Sequence, residues 1–114
     1  MENEALELAM ALGRADETER ENLRVLCRAA VQAWTARLRP GVRAEDCGPA
    51  LALAAAWTAL AMLGEEEDVR RFSAGDLTIE TGGGERGGRL RRQAEQIMAP
   101  YRKDDGFAFR GVRG

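Results

Sequence analysis

The sequence predicts a mainly α fold: a small bundle of about four helices with an inserted β-hairpin and an extended C-terminal tail. Three observations lead there. Apolar residues recur at offsets of three and four through residues 2–64 and again through 89–102. Across residues 69–88 that spacing gives way to alternation, a sharp turn and a run of glycines. Residues 104–114 then carry phenylalanine and arginine in a pattern that suits no helical core. All 114 residues fit one domain.

The first helix is "ENEALELAMAL", with Ala5, Leu8, Ala9 and Leu12 on one face and Gly13 as its stop. The second begins in "ADETERENL", where Asp16 and Glu19 have the spacing of a capping box and Thr18 with Glu21 is the alternative start. Its stripe is Leu23, Leu26, Cys27, Ala30, Val31, Trp34 and Leu38, its opposite face carries Arg24, Arg28 and Arg37, and "RPG" at 39–41 ends it. The third opens with Pro49 at a first-turn position. It is apolar nearly all round, which suits a central helix, and "GEEED" at 64–68 ends it in solvent. Helices two and three should pair antiparallel, with Leu26, Ala30, Trp34, Leu53, Trp57 and Leu60 in one core and Trp57 against helix two.

The pattern then switches. Phe72 precedes the turn tetrad "SAGD", and Leu77 and Ile79 alternate with Thr78 and Glu80, which reads as a short hairpin. Five glycines between Gly82 and Gly88 read as a flexible loop. The fourth helix, "RLRRQAEQIMAPYRK", aligns Leu90, Ala94, Ile97, Met98 and Tyr101, and Pro100 stops or kinks it near Ala99.

The chemistry visible in the chain is sparse. There is no histidine, which removes the commonest general base and metal ligand. Cys27 and Cys47 form no CxxC pair and read as two separate thiols in a reducing compartment, in keeping with an N-terminus unlike a signal peptide. "GGGERGG" lacks the Lys-Ser/Thr of a phosphate loop. "EEED" and Asp104-Asp105 read as solvated. We therefore expect no enzyme and no catalytic, cofactor-binding or metal site. The longest apolar run, Ala50 to Leu63, is 14 residues and looks short for a membrane span. Charge is uneven: residues 1–68 hold seven basic and thirteen acidic residues, and residues 69–114 ten and six. Unlike faces of neighbouring subunits would attract.

The order of parts resembles the head-tail connector, or head-completion, proteins of tailed bacteriophages and prophages. The likeness rests on a short acidic first helix, two long helices, a "(F/Y)-S-x-G-D" turn at Phe72, Ser73, Gly75 and Asp76, the alternation at Leu77 and Ile79, and a final helix. The resemblance implies a structural role. Such proteins form a ring on the portal, commonly a dodecamer in the particle. The ring extends the DNA channel without sequence-specific binding and receives the next connector or tail component. It also implies residence in the virion neck, and in the host cytoplasm before assembly. The candidate protein–protein interface is then Phe72, Ser73, Gly75, Asp76, Leu77, Ile79, Phe107, Phe109 and Arg110, since hairpin edges add strands from neighbours. The alternative is a small bacterial regulator or antitoxin-like protein that holds nucleic acid through Arg89, Arg91, Arg92, Arg110 and Arg113.

Overall fold

Four helices, α1 (Glu2–Gly13), α2 (Glu17–Ala36), α3 (Gly48–Ser73) and α4 (Gly82–Met98), carry the fold in a computed structural model, with one 3-10 turn at Ala44–Cys47. The backbone is described for residues 1–73 and 82–103, and side chains for 1–66 and 87–103. α3 is central. α2 and α4 pack along it, α1 lies against both α2 and α3, and the α3–α4 contact is the most extensive in the bundle.

Local chemistry explains the helix ends. Asp16 caps α2: Thr18 donates to its carboxylate through the backbone N–H at 3.1 Å and the hydroxyl at 2.6 Å, and Glu19 accepts from the Asp16 N–H at 3.3 Å. α1 ends one residue later than expected. Gly13 is its last helical residue, and Arg14 takes the left-handed position with φ 51°. Gly13 serves close approach, because a Cβ there would meet the end of the Leu60 side chain. α2 stops at Ala36, short of "RPG", and α4 stops at Met98, just before Pro100.

The bounds of α3 and α4 correct the sequence reading. Residues 69–73, assigned to the hairpin, continue α3, and so do the "GEEED" residues assigned to its end. Acids at Glu66 and Glu67 stand four residues before Arg70 and Arg71, a spacing that favours helix. The glycines from Gly82 to Gly88 form the opening turns of α4, where a loop was expected. Each interior glycine costs about 1 kcal/mol against alanine, and the extensive docking of α4 on α3 overrides that preference. The rest of the expected hairpin, residues 74–81, lies outside the described residues, as does the tail from 104 to 114. Among the described residues the only strand-like pairing is an antiparallel bridge between Leu38 and Arg102.

The interior divides into two clusters where one was expected. The first joins Ala5, Leu6 and Ala9 of α1 to Leu23, Cys27 and Ala30 of α2 and to Ala55, Ala56, Ala59, Leu60 and Leu63 of α3. The second joins Trp34 and Leu38 to Cys47, Leu51 and Ala54 and to Ala94 and Met98 of α4. Of the six residues expected in one core, Ala30, Trp34 and Leu60 are buried, while Leu26, Leu53 and Trp57 are only half-buried. Trp57 packs on the second cluster, and Trp34 is the tryptophan at its centre. Ala44–Glu66 is long enough to cross a membrane and holds an 18-residue segment apolar enough to do so, with a mean hydropathy of 1.6, contrary to the expectation from the 14-residue run, and 56% of that segment is buried inside the bundle.

Candidate protein–protein interface

The nine residues expected at an interface are only partly located. Phe72 and Ser73 belong to the last turn of α3. Gly75, Asp76, Leu77, Ile79, Phe107, Phe109 and Arg110 lie outside the described residues. The structure fixes where these segments begin. α3 and α4 run antiparallel, as the pair Arg91–Glu65 shows near one end and the burial of Met98 with Leu51 near the other. Ser73 therefore stands at one end of the bundle. Lys103 stands at the opposite end, where its N–H donates to the Arg37 carbonyl at 2.8 Å and the Arg39 N–H donates to the Tyr101 carbonyl at 2.8 Å.

Side-chain chemistry locks that second end. Trp34 Nε1–H donates to Thr58 Oγ1 at 3.0 Å and ties α2 to α3. The Arg37 guanidinium lies 4.3 Å from the Trp34 ring centroid and donates to both Glu95 carboxylate oxygens at 3.0 and 3.1 Å. Arg102 Nε stands 3.1 Å from Glu95 Oε1 without the alignment of a hydrogen bond. One carboxylate of α4 thus anchors both the end of α2 and the start of the tail.

Among the described residues, one ion pair sets a base from residues 69–114 against an acid from residues 1–68. Arg91 of α4 grips Glu65 of α3 bidentately at 2.9 and 3.1 Å, and Asn22 of α2 donates to Glu66 at 2.9 Å. Arg28 grips Glu2 at 3.2 Å through two nitrogens, which holds the Glu2 carboxyl below its ordinary value and the Arg28 guanidinium above its own. The thiols are screened from chemistry. Burial, with a smaller push from the Glu2 charge, raises Cys27 to about 11, and burial also raises Cys47. Both are free and buried. Among the described residues no group of three or more acidic, cysteine or histidine side chains is placed to hold a metal.

One surface feature was not singled out from the sequence. Between α1 and the start of α3 lies an open groove of about 670 Å³, floored by Leu8, Pro49, Ala52 and Leu53 and rimmed by Glu4 and Glu7. Trp57, one turn beyond Leu53, extends the half-buried apolar stripe along α3. The available signal was the all-round apolarity of helix three, which leaves an uncovered side wherever fewer helices surround it than its pattern can serve. No protein-family model, curated protein or solved structure matches the chain.

Proposed function

We propose that the chain is a structural head-tail connector subunit of a tailed phage or prophage. In this reading it sits in a ring, a dodecamer in the particle, on the portal protein. It extends the DNA channel toward the tail and presents a surface to the next component in the virion neck. It carries out no catalysis, takes no cofactor, and passes DNA without reading its sequence.

The observation that carries the reading is positional. α3 spans 26 residues, about 39 Å at 1.5 Å per residue. The "F-S-x-G-D" segment starts at its far end, and the Phe-Arg tail starts beside its near end, at Lys103. A subunit held between a portal and a second component needs contact segments at both ends of a stiff body. The finer elements of the reading, a projecting hairpin and a docking tail, rest on the sequence pattern of residues 72–79 and 107–110.

The regulator reading loses one of its five arginines, since Arg91 is engaged with Glu65. Arg89 and Arg92 remain on the exposed face of α4. Mixing the protein with purified portal and imaging by electron microscopy separates the two. Rings stacked on portal, tolerant of salt, are expected. Steeply salt-dependent DNA affinity without portal association would overturn the connector.

A further inference from the structure

We infer that the groove between α1 and α3 is the receptor for the Phe-Arg tail of a second copy of this chain. The inference rests on the connector reading for self-association and deepens it by naming both halves of the joint.

The groove has an apolar floor of Leu8, Pro49, Ala52 and Leu53 and two acidic rim residues, Glu4 and Glu7, whose side chains are 70% and 69% exposed. Among the described residues each makes a single ion pair: Glu4 stands 3.8 Å from the N-terminal ammonium, and Glu7 accepts from Arg20 at 3.1 Å. Capacity for another cation remains on both carboxylates. An occupant should therefore combine large apolar anchors with positive charge.

Of the eleven residues after Lys103, "DDGFAFRGVRG", the last eight have that composition. Phe107 and Phe109 are two apart, so an extended segment aims both rings at one floor. Aromatic side chains in a pocket are the usual anchors of an interface. Arg110 and Arg113 then meet the acidic rim, and Asp104 and Asp105, which the rim repels, form the spacer. Extended, eleven residues reach about 36 Å.

The direction of exit argues for a neighbour. The tail leaves on the α4 side of α3, where Tyr101 packs on the second cluster and Lys103 is bonded to Arg37. The groove opens on the α1 side, with α3 between them. A donor segment on one flank and a receptor on another is the geometry of head-to-tail association, which closes into rings when the rotation permits.

Complementary variants test this. One chain ends at Lys103 and keeps the groove. Another carries Leu53→Glu and keeps the tail, and Glu4→Lys with Glu7→Lys provides a rim variant that leaves the floor intact. Circular dichroism first establishes that each is folded. Sedimentation velocity from micromolar to near-millimolar protein should show the full chain associating and the truncated and Leu53→Glu chains monomeric. The rim variant should associate about tenfold or more weakly. Mixing the truncated chain with the Leu53→Glu chain should restore a 1:1 complex, because one supplies the groove and the other the tail.

Association by the truncated chain equal to that of the full chain would overturn the inference, as would a mixture that stays two monomers. A full-length monomer, with a truncated chain that still takes up a synthetic 104–114 peptide, would mean that each tail fills its own groove, and would overturn the second-copy occupant. The connector reading fails separately. Truncated chains that still ring a portal refute the joint alone, whereas a tail-in-groove assembly that never engages portal refutes the connector alone.

Discussion

Replacing Trp34 by alanine should be the most damaging aromatic truncation in the body. Trp34 is 4% exposed, and it packs with Leu38, Cys47, Leu51, Ala54, Ala94 and Met98. Removing a buried tryptophan costs about 3–5 kcal/mol in lost transfer energy and cavity formation. Within that sum, the bond to Thr58 contributes about 1 kcal/mol and the partly exposed Arg37 contact about 0.5–1 kcal/mol. Trp34→Phe keeps most of the burial but loses the N–H, so about 1–2 kcal/mol is expected. Trp57→Ala should cost less than Trp34→Ala, because Trp57 is only half-buried. The assay is urea unfolding followed by far-ultraviolet circular dichroism, with equal slopes required before midpoints are compared. The chain has two tryptophans, so in the Trp34 variants fluorescence reports Trp57 alone. A Trp34→Ala cost under about 1 kcal/mol, or a larger loss for Trp57→Ala, would refute the assignment of Trp34 to the centre of the second cluster.

The other expectations concern charge, thiols and assembly. The carboxyls of Glu2, held low chiefly by its Arg28 hydrogen bonds, and Asp16, held low chiefly by Thr18, have folded-state values below their unfolded ones. Their stabilisation is complete above the ordinary carboxylate range and is lost as pH falls through the lowered values. Acid titration of melting temperature should therefore be shallower in Glu2→Gln and Asp16→Asn, and identical curves would remove these groups as its cause. Cys27, raised to about 11, should alkylate slowly with iodoacetamide at mildly alkaline pH until the protein is unfolded, and equal native and unfolded rates would show it accessible. A double-mutant cycle on Arg91 and Glu65 should give about 0.2–1 kcal/mol, as for partly exposed pairs, and a coupling indistinguishable from zero would mean the pair does not hold α4 to α3 in solution. Deleting Phe107–Gly114 should leave the melting temperature nearly unchanged while weakening docking to portal or neighbour, and a large stability loss would make the tail a structural element of its own body.

Local rules succeeded where a residue's neighbours along the chain decide its fate. The Asp16–Glu19 cap and the α2 stripe of Leu23, Cys27, Ala30 and Trp34 could be read directly, because both depend on spacing within one helix. α1 was harder. Ala5 and Ala9 are buried as expected, but Leu6 is buried in place of Leu12, which is 49% exposed. A short helix rich in alanine and leucine has two apolar faces of similar quality, and only the seat between α2 and α3 chooses one. The glycine run failed for the opposite reason: propensity pointed to a loop, and packing on α3 overrode it. The two tryptophans have equal sequence credentials, and tertiary position alone separates them. Of the candidate site, the sequence supplied the tail's chemistry but not the groove, since Glu4 and Leu53 meet only after α1 and α3 have docked.

The short pairing at Leu38 and Arg102 has a mechanical meaning. The chain's last described residues are fastened to the end of α2 by two main-chain hydrogen bonds that flank this bridge, Arg39 N–H to Tyr101 and Lys103 N–H to Arg37. Main-chain bonds are indifferent to the identity of the residues beyond Lys103. Tension applied to the tail is therefore delivered to α2, and through Trp34 and Thr58 to α3, whichever residues the tail contains. Foreign sequences grafted after Lys103 should be borne by the same anchor. This end of the bundle is thus a mounting point, in which the part that carries force is separate from the part that selects a partner.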